Sequence, residues 1–174
     1  MTYINKYSSQ ELLKELIKKE MSNQSGFLPE VFKEEQDKAI DFFTKRVFLD
    51  EMIDSCLEFN KKLKWNHNDK NIGLTTTAED LVEVFKLRSD VYTSINYQDE
   101  FPDTISGLNF DKYEQNSAVI YYKSNNIITG TTRLIFDSKF KLPSEEKYSF
   151  DEIRKQYNTI GELSRLIVKK KLMD

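Results

Sequence analysis

Apolar residues recur every three or four positions in the first part of the chain and then give way to short alternating runs. Ser8-Ser9-Gln10-Glu11 forms a capping box ahead of Leu12, Leu13, Leu16 and Ile17, a spacing that puts four aliphatic side chains on one side of a helix. After Ser25-Gly26, Pro29 opens a second helical stretch, in which Ala39, Ile40, Phe43, Val47, Met52, Ile53, Cys56 and Leu57 keep the helical period, as one long helix or two. The polar segment WNHNDKN, residues 65–71, interrupts the pattern. It divides a helical leader, 1–70, from a main domain, 71–174.

Beyond it, strands and helices alternate. Ile72 to Leu74 predicts a short strand, and Thr77, with Asp80 three positions on, caps a helix carrying Leu81, Phe85, Arg88, Val91 and Tyr92. Residues 93–110 are loop-like. Ala118 to Lys123 and Ile127 to Phe136 are strand-forming runs about Ser124-Asn125-Asn126, the pattern of a hairpin. After a long excursion with a short helix between Ser149 and Tyr157, the chain returns to an apolar strand, GELSRLIV, residues 161–168. The class expected is α/β, a sheet flanked by helices.

That last strand carries two charges. Residues three apart on a regular strand point to opposite faces, so Glu162 and Arg165 share a pocket only if a bulge or strong twist re-aims one of them. A lone buried charge costs several kcal/mol, so each needs a partner from elsewhere in the sequence.

The candidates are Arg88-Ser-Asp-Val-Tyr92, Asn109-Phe-Asp111-Lys-Tyr113-Glu114, Thr132-Arg133-Leu134-Ile135 and Glu162-Leu-Ser-Arg165. In order and spacing over residues 75–168 they resemble the acyl-homoserine-lactone synthases, the autoinducer synthases, which share the GNAT acyltransferase fold. Arg133-Leu134-Ile135 and Leu142-Pro143-Ser-Glu145 are more similar still to the related N-acyl amino acid synthases. Gln98, beside Tyr97, stands where the lactone synthases carry a tryptophan, which argues against sulfonium and lactone chemistry. The resemblance implies a GNAT-like mixed sheet, incomplete at the C-terminus because the phosphate-cradling loop and further strands of such domains would follow Val168. The leader lies outside it.

The same resemblance implies transfer of a fatty acyl group from an acyl carrier protein or coenzyme A thioester to the amine of an amino acid or related small molecule. Glu162 is then the candidate base. Asp111 and Glu114 hold the arginines and the substrate amine, and Arg133 bridges them. Arg88, Tyr92 and Arg165 fix the cluster or bind substrate, and backbone groups near Leu166 and Ile167 receive the oxyanion. Three arginines against three acids would be neutral as a whole, which suits burial. The competing readings are an ion-pair network without a chemical role and a non-catalytic GNAT-like binding module.

Composition narrows the partners. With 26 basic and 29 acidic residues the net charge is −3, so nothing global attracts nucleic acid, and a basic partner site must be local. Lys139, Lys141, Lys147, Arg154, Lys155 and Lys169 to Lys171 are the basic concentration an acidic carrier protein would meet, or else a solvated edge. The single cysteine excludes an internal disulfide, no cysteine and histidine cluster has metal-ligand spacing, and no apolar run reaches the ~20 residues of a membrane span. A cytoplasmic protein is expected, with the amphipathic leader a candidate contact for another chain. Ser164 has no histidine in its part of the sequence, so serine-hydrolase chemistry finds no support.

Overall fold

The computed structural model describes residues 29–66 and 69–169. The expected helix at Leu12 to Ile17, together with His67, Lys170 and Lys171, lies outside them. A single helix, α1, spans Pro29–Lys62. The chain divides into two compact units, Met1–Glu51 and Met52–Asp174, so the division falls within that helix.

In the first unit, α1 displays ion pairs one turn apart, Glu34–Lys38 at 2.8 Å and Asp41–Lys45 at 2.8 Å. Both are solvent-exposed and contribute little. Phe42 and Phe43 meet edge to face at 5.6 Å and are also exposed.

The second unit begins with the last turns of α1, where Met52, Cys56 and Asn60 are buried. The amide of Asn60 donates to both the backbone oxygen and the hydroxyl of Thr75, each at 2.9 Å. This ties the last turn of α1 to the strand region across the polar segment. The short strand β1, Ile72–Leu74, follows. Helix α2, Ala78–Ser94, is capped as expected, the Thr77 side chain accepting from the Asp80 N–H at 3.2 Å. Leu81, Val84, Phe85, Arg88 and Tyr92 are its buried stripe.

β2, Ser117–Ser124, and β3, Ile127–Phe136, form the expected hairpin. Asn125 and Asn126 both take positive φ, 52° and 63°, the two-residue turn whose twist matches the strands it joins. After the excursion, with its short helix α3, Asp151–Gln156, comes β4, Gly161–Val168. The sheet order is β1-β2-β3-β4, and every pairing is antiparallel. This is the expected α/β class. On the face that includes Val119, Ile135 and Ile167 the sheet is buried, and α2 contributes Leu81, Val84 and Phe85 to the core. On the other face Tyr122, Leu166 and Val168 are exposed beside an apolar groove of about 190 Å³, and Leu163 is exposed further along β4.

Candidate active site

β3 and β4 pair regularly from Phe136↔Gly161 to Arg133↔Ser164, but the next pair is Thr131↔Ile167. Thr132 therefore stands against two residues, Arg165 and Leu166, which is a β-bulge. Arg165 takes a left-handed backbone, φ 55°, and is the residue the bulge turns. Without it, Arg165 would share the open face with Leu163. With it, Arg165 joins Glu162, Ser164 and Ile167 on the face that carries Arg133.

On that face five of the proposed charges bond directly to one another. Glu114, fully buried on a short 3-10 turn, Lys112–Asn116, accepts through one oxygen from Arg88 at 2.6 Å and from Arg133 at 2.6 Å. Arg133 also donates to both oxygens of Asp111, at 2.7 and 3.1 Å, and through Nε to the Ser164 hydroxyl at 3.1 Å. Arg165 donates to Asp111 at 3.0 Å and to the Tyr92 hydroxyl at 3.2 Å. Asp111 additionally caps the 3-10 turn, accepting from the Tyr113 N–H at 2.9 Å.

Glu162 is the exception, and the expectation of six converging charges is corrected here. Its carboxylate accepts from the Ser144 N–H at 2.9 Å, and among the described residues it makes no ion pair with the arginines. Although it faces the same side as Arg133, it closes the start of a second 3-10 turn, Pro143–Glu146. Leu166 and Ile167 part at the bulge: the Leu166 side chain is exposed, that of Ile167 buried.

Burial opposes the charges of Asp111, Arg133 and Arg88, and the balance with their partners differs among the three. For Asp111, burial works to raise the carboxyl, but Arg133 and Arg165 outweigh it and hold it well below the usual carboxylate range. Burial likewise opposes the Arg133 charge, yet Glu114 and Asp111 push its pKa above the ordinary arginine value. Arg88 goes the other way, lowered because its complete burial exceeds what Glu114 restores. Nearby, burial first and the charge of Glu114 second push the Cys56 thiol up to about 12, which makes it an inert core thiol, as expected of a cysteine on an apolar stripe.

The excursion is packed rather than loose. Leu142 is buried with Tyr113 and Ile135, and Phe140, Phe150 and Ile160 surround them. Arg154 clasps it by bonding Asp137 and Glu145, and the Tyr113 hydroxyl donates to Glu146 at 2.7 Å. These pairs consume part of the expected basic concentration. Lys155 pairs with Glu152, whereas Lys139, Lys141 and Lys147 are exposed without an ion pair among the described residues.

Phe101 was missed from the sequence, whereas Ser164 and Asn109 stood within the quoted motifs without a role in the site. Ser164 is two residues from Glu162, so strand alternation alone puts it on the same face. Phe101, which lies 4.6 Å from the Arg165 guanidinium, sits in a loop without periodicity and leaves no such signal. Asn109 is buried in the same loop and donates to the backbone oxygens of Phe101 at 2.9 Å and Pro102 at 3.1 Å.

The family model described as N-acyl amino acid synthase FeeM matches residues 83–174, a stretch that contains all six charged positions. No curated protein and no solved structure matches the chain.

Proposed function

The chain belongs to the N-acyl amino acid synthase FeeM family, and we propose that it moves a fatty acyl group from a carrier-protein or coenzyme A thioester to the amine of an amino acid. The observation that carries this reading is the buried network in which Arg133 joins Asp111 to Glu114, beside a bulged strand whose outer edge pairs with no strand among the described residues. In the reaction, the amine attacks the thioester carbonyl, the nitrogen loses a proton, and the thiol leaves.

Asp111 is too acidic to take that proton well, because its two arginines stabilise the ionised form. Its role is to orient the amine. Glu162 stands apart from the arginines, half-buried, with one oxygen on the Ser144 N–H, and serves as the base directly or through water. Arg133 holds the geometry, Arg88 and Glu114 form its floor, and Tyr92 steadies Arg165. Backbone N–H groups around Leu166 and Ile167, past the bulge, receive the developing oxyanion. The exposed lysines Lys139, Lys141 and Lys147 are the docking charges for an acidic acyl carrier protein.

Incubation with acyl carrier protein and coenzyme A thioesters and a mixture of amino acids, read by mass spectrometry and free-thiol release, tests this. One thiol should appear for each N-acyl amino acid formed. No thiol release from either donor would end the proposal. Glu162→Gln should lower kcat by about 10²–10⁴-fold while leaving the circular-dichroism spectrum intact; a wild-type rate would move the base elsewhere.

A further inference from the structure

With Glu162 outside the network, its charges no longer balance. Three guanidinium groups, Arg88, Arg133 and Arg165, meet two carboxylates, Asp111 and Glu114. One positive charge is left over, and the three arginines differ in whether a ligand reaches them. Arg88 is fully enclosed, and Arg133 is nearly so, with its donors spread over Ser164, Asp111 and Glu114. Arg165 retains 13% of its side-chain exposure, and Asp111 beside it 27%. Of the five N–H donors on a guanidinium, Arg165 commits one to Tyr92 and one to Asp111.

Three further observations set Arg165 apart. Its backbone holds a conformation that non-glycine residues rarely adopt, and the bulge that imposes it also brings the guanidinium to this face. The rings of Tyr92 and Phe101, stacked at 4.9 Å, stand 5.5 and 4.6 Å from it, so the charge is steadied by aromatic faces without being neutralised. The loop that carries Phe101 is itself pinned: Asn109 holds the Phe101 backbone, and Asp103 accepts from the Ser89 hydroxyl at 2.7 Å and from the Gly107 N–H at 2.8 Å.

We propose that Arg165, steadied by Phe101 and Tyr92, anchors the α-carboxylate of the acceptor while Asp111 orients its amine, so that the site selects α-amino acids over amines of the same shape without a carboxylate. The inference rests on the N-acyl transfer reading, and it names Phe101 as a positioning residue. A guanidinium fits a carboxylate through two parallel N–H bonds, and such an anion would balance the surplus charge.

Phenylalanine, 2-phenylethylamine and 3-phenylpropanoate separate the contributions, since the second lacks the carboxylate and the third the amine. With the full chain and an acyl thioester that supports turnover, kcat/KM for phenylalanine should exceed that for 2-phenylethylamine by about tenfold or more, the scale of one charge-assisted pair. Arg165→Gln should remove that preference chiefly through KM for phenylalanine. Equal use of both acceptors by the wild type, or a preference that survives Arg165→Gln, overturns the proposal.

A thermal-shift titration reads the anchor without turnover and distinguishes its failure from failure of the acyl-transfer reading. Phenylalanine and 3-phenylpropanoate should stabilise the wild type and 2-phenylethylamine should not; stabilisation by 2-phenylethylamine equal to that by phenylalanine overturns the anchor. If Arg165→Gln does not fold, Phe101→Leu decides: a rise in the half-saturating phenylalanine concentration of about threefold or more supports the proposal, and an unchanged titration overturns it.

Discussion

Two arginine networks, one on the sheet and one within the excursion between β3 and β4, differ in what surrounds them. Arg133 is almost wholly buried with Glu114 and Asp111, whereas Arg154, with Asp137 and Glu145, remains a third exposed. Both use short charge-assisted bonds to two carboxylates. In the first, Arg133 and Glu114 have lost their water and depend on their partners, and only Asp111 keeps a solvent-facing side. In the second, the guanidinium itself is in contact with water, which competes for it and screens the pairs. Similar hydrogen-bond lists therefore correspond to unequal roles: one network fixes the candidate active site, and the other clasps a surface segment.

The sharpest break in that comparison is Arg133→Ala, which removes the buried cation shared by Asp111 and Glu114 and leaves each with one arginine. It should cost about 3–5 kcal/mol of stability in urea unfolding, along with activity. Unchanged unfolding would contradict the buried role. Cys56 reports on the same interior: at pH 8 its reaction with a thiol reagent should be at least about a thousandfold slower than in the urea-unfolded chain, because a pKa of about 12 leaves almost no thiolate. Labelling at the unfolded rate would show that this region is open.

Asp111→Asn sharpens the electrostatic side. The folded carboxyl lies below its unfolded value of about 3.9, so its contribution is complete above that pH and is lost as pH falls through the folded value. The melting-temperature gap between wild type and variant should therefore be widest above about pH 5 and narrow in acid. A gap that widens in acid would reverse the sign. Arg154→Ala should have the smallest effect, a modest fall in melting temperature that shrinks as salt is added. A fall as large as that of Arg133→Ala would erase the distinction between the two networks.

Local pattern carried most of the elements. Thr77 capped its helix, the Asn125-Asn126 turn made its hairpin, and the strand at 161–168 appeared at the expected residues, because caps, turn residues and alternation act over a few neighbouring positions. The tie of Asn60 to Thr75, which fastens the end of α1 to the strand region, has no such local signal. The sequence alone determined which charged residues needed partners and that Glu162 and Arg165 could share a face only through a bulge. Tertiary structure alone decided that the bulge turns Arg165, that Glu162 bonds to Ser144, and that Phe101 comes to cover Arg165. The reason is physical: the need for a counter-charge follows from desolvation and can be stated residue by residue, but which counter-charge is reached depends on how segments distant in the chain pack, and no local period records that.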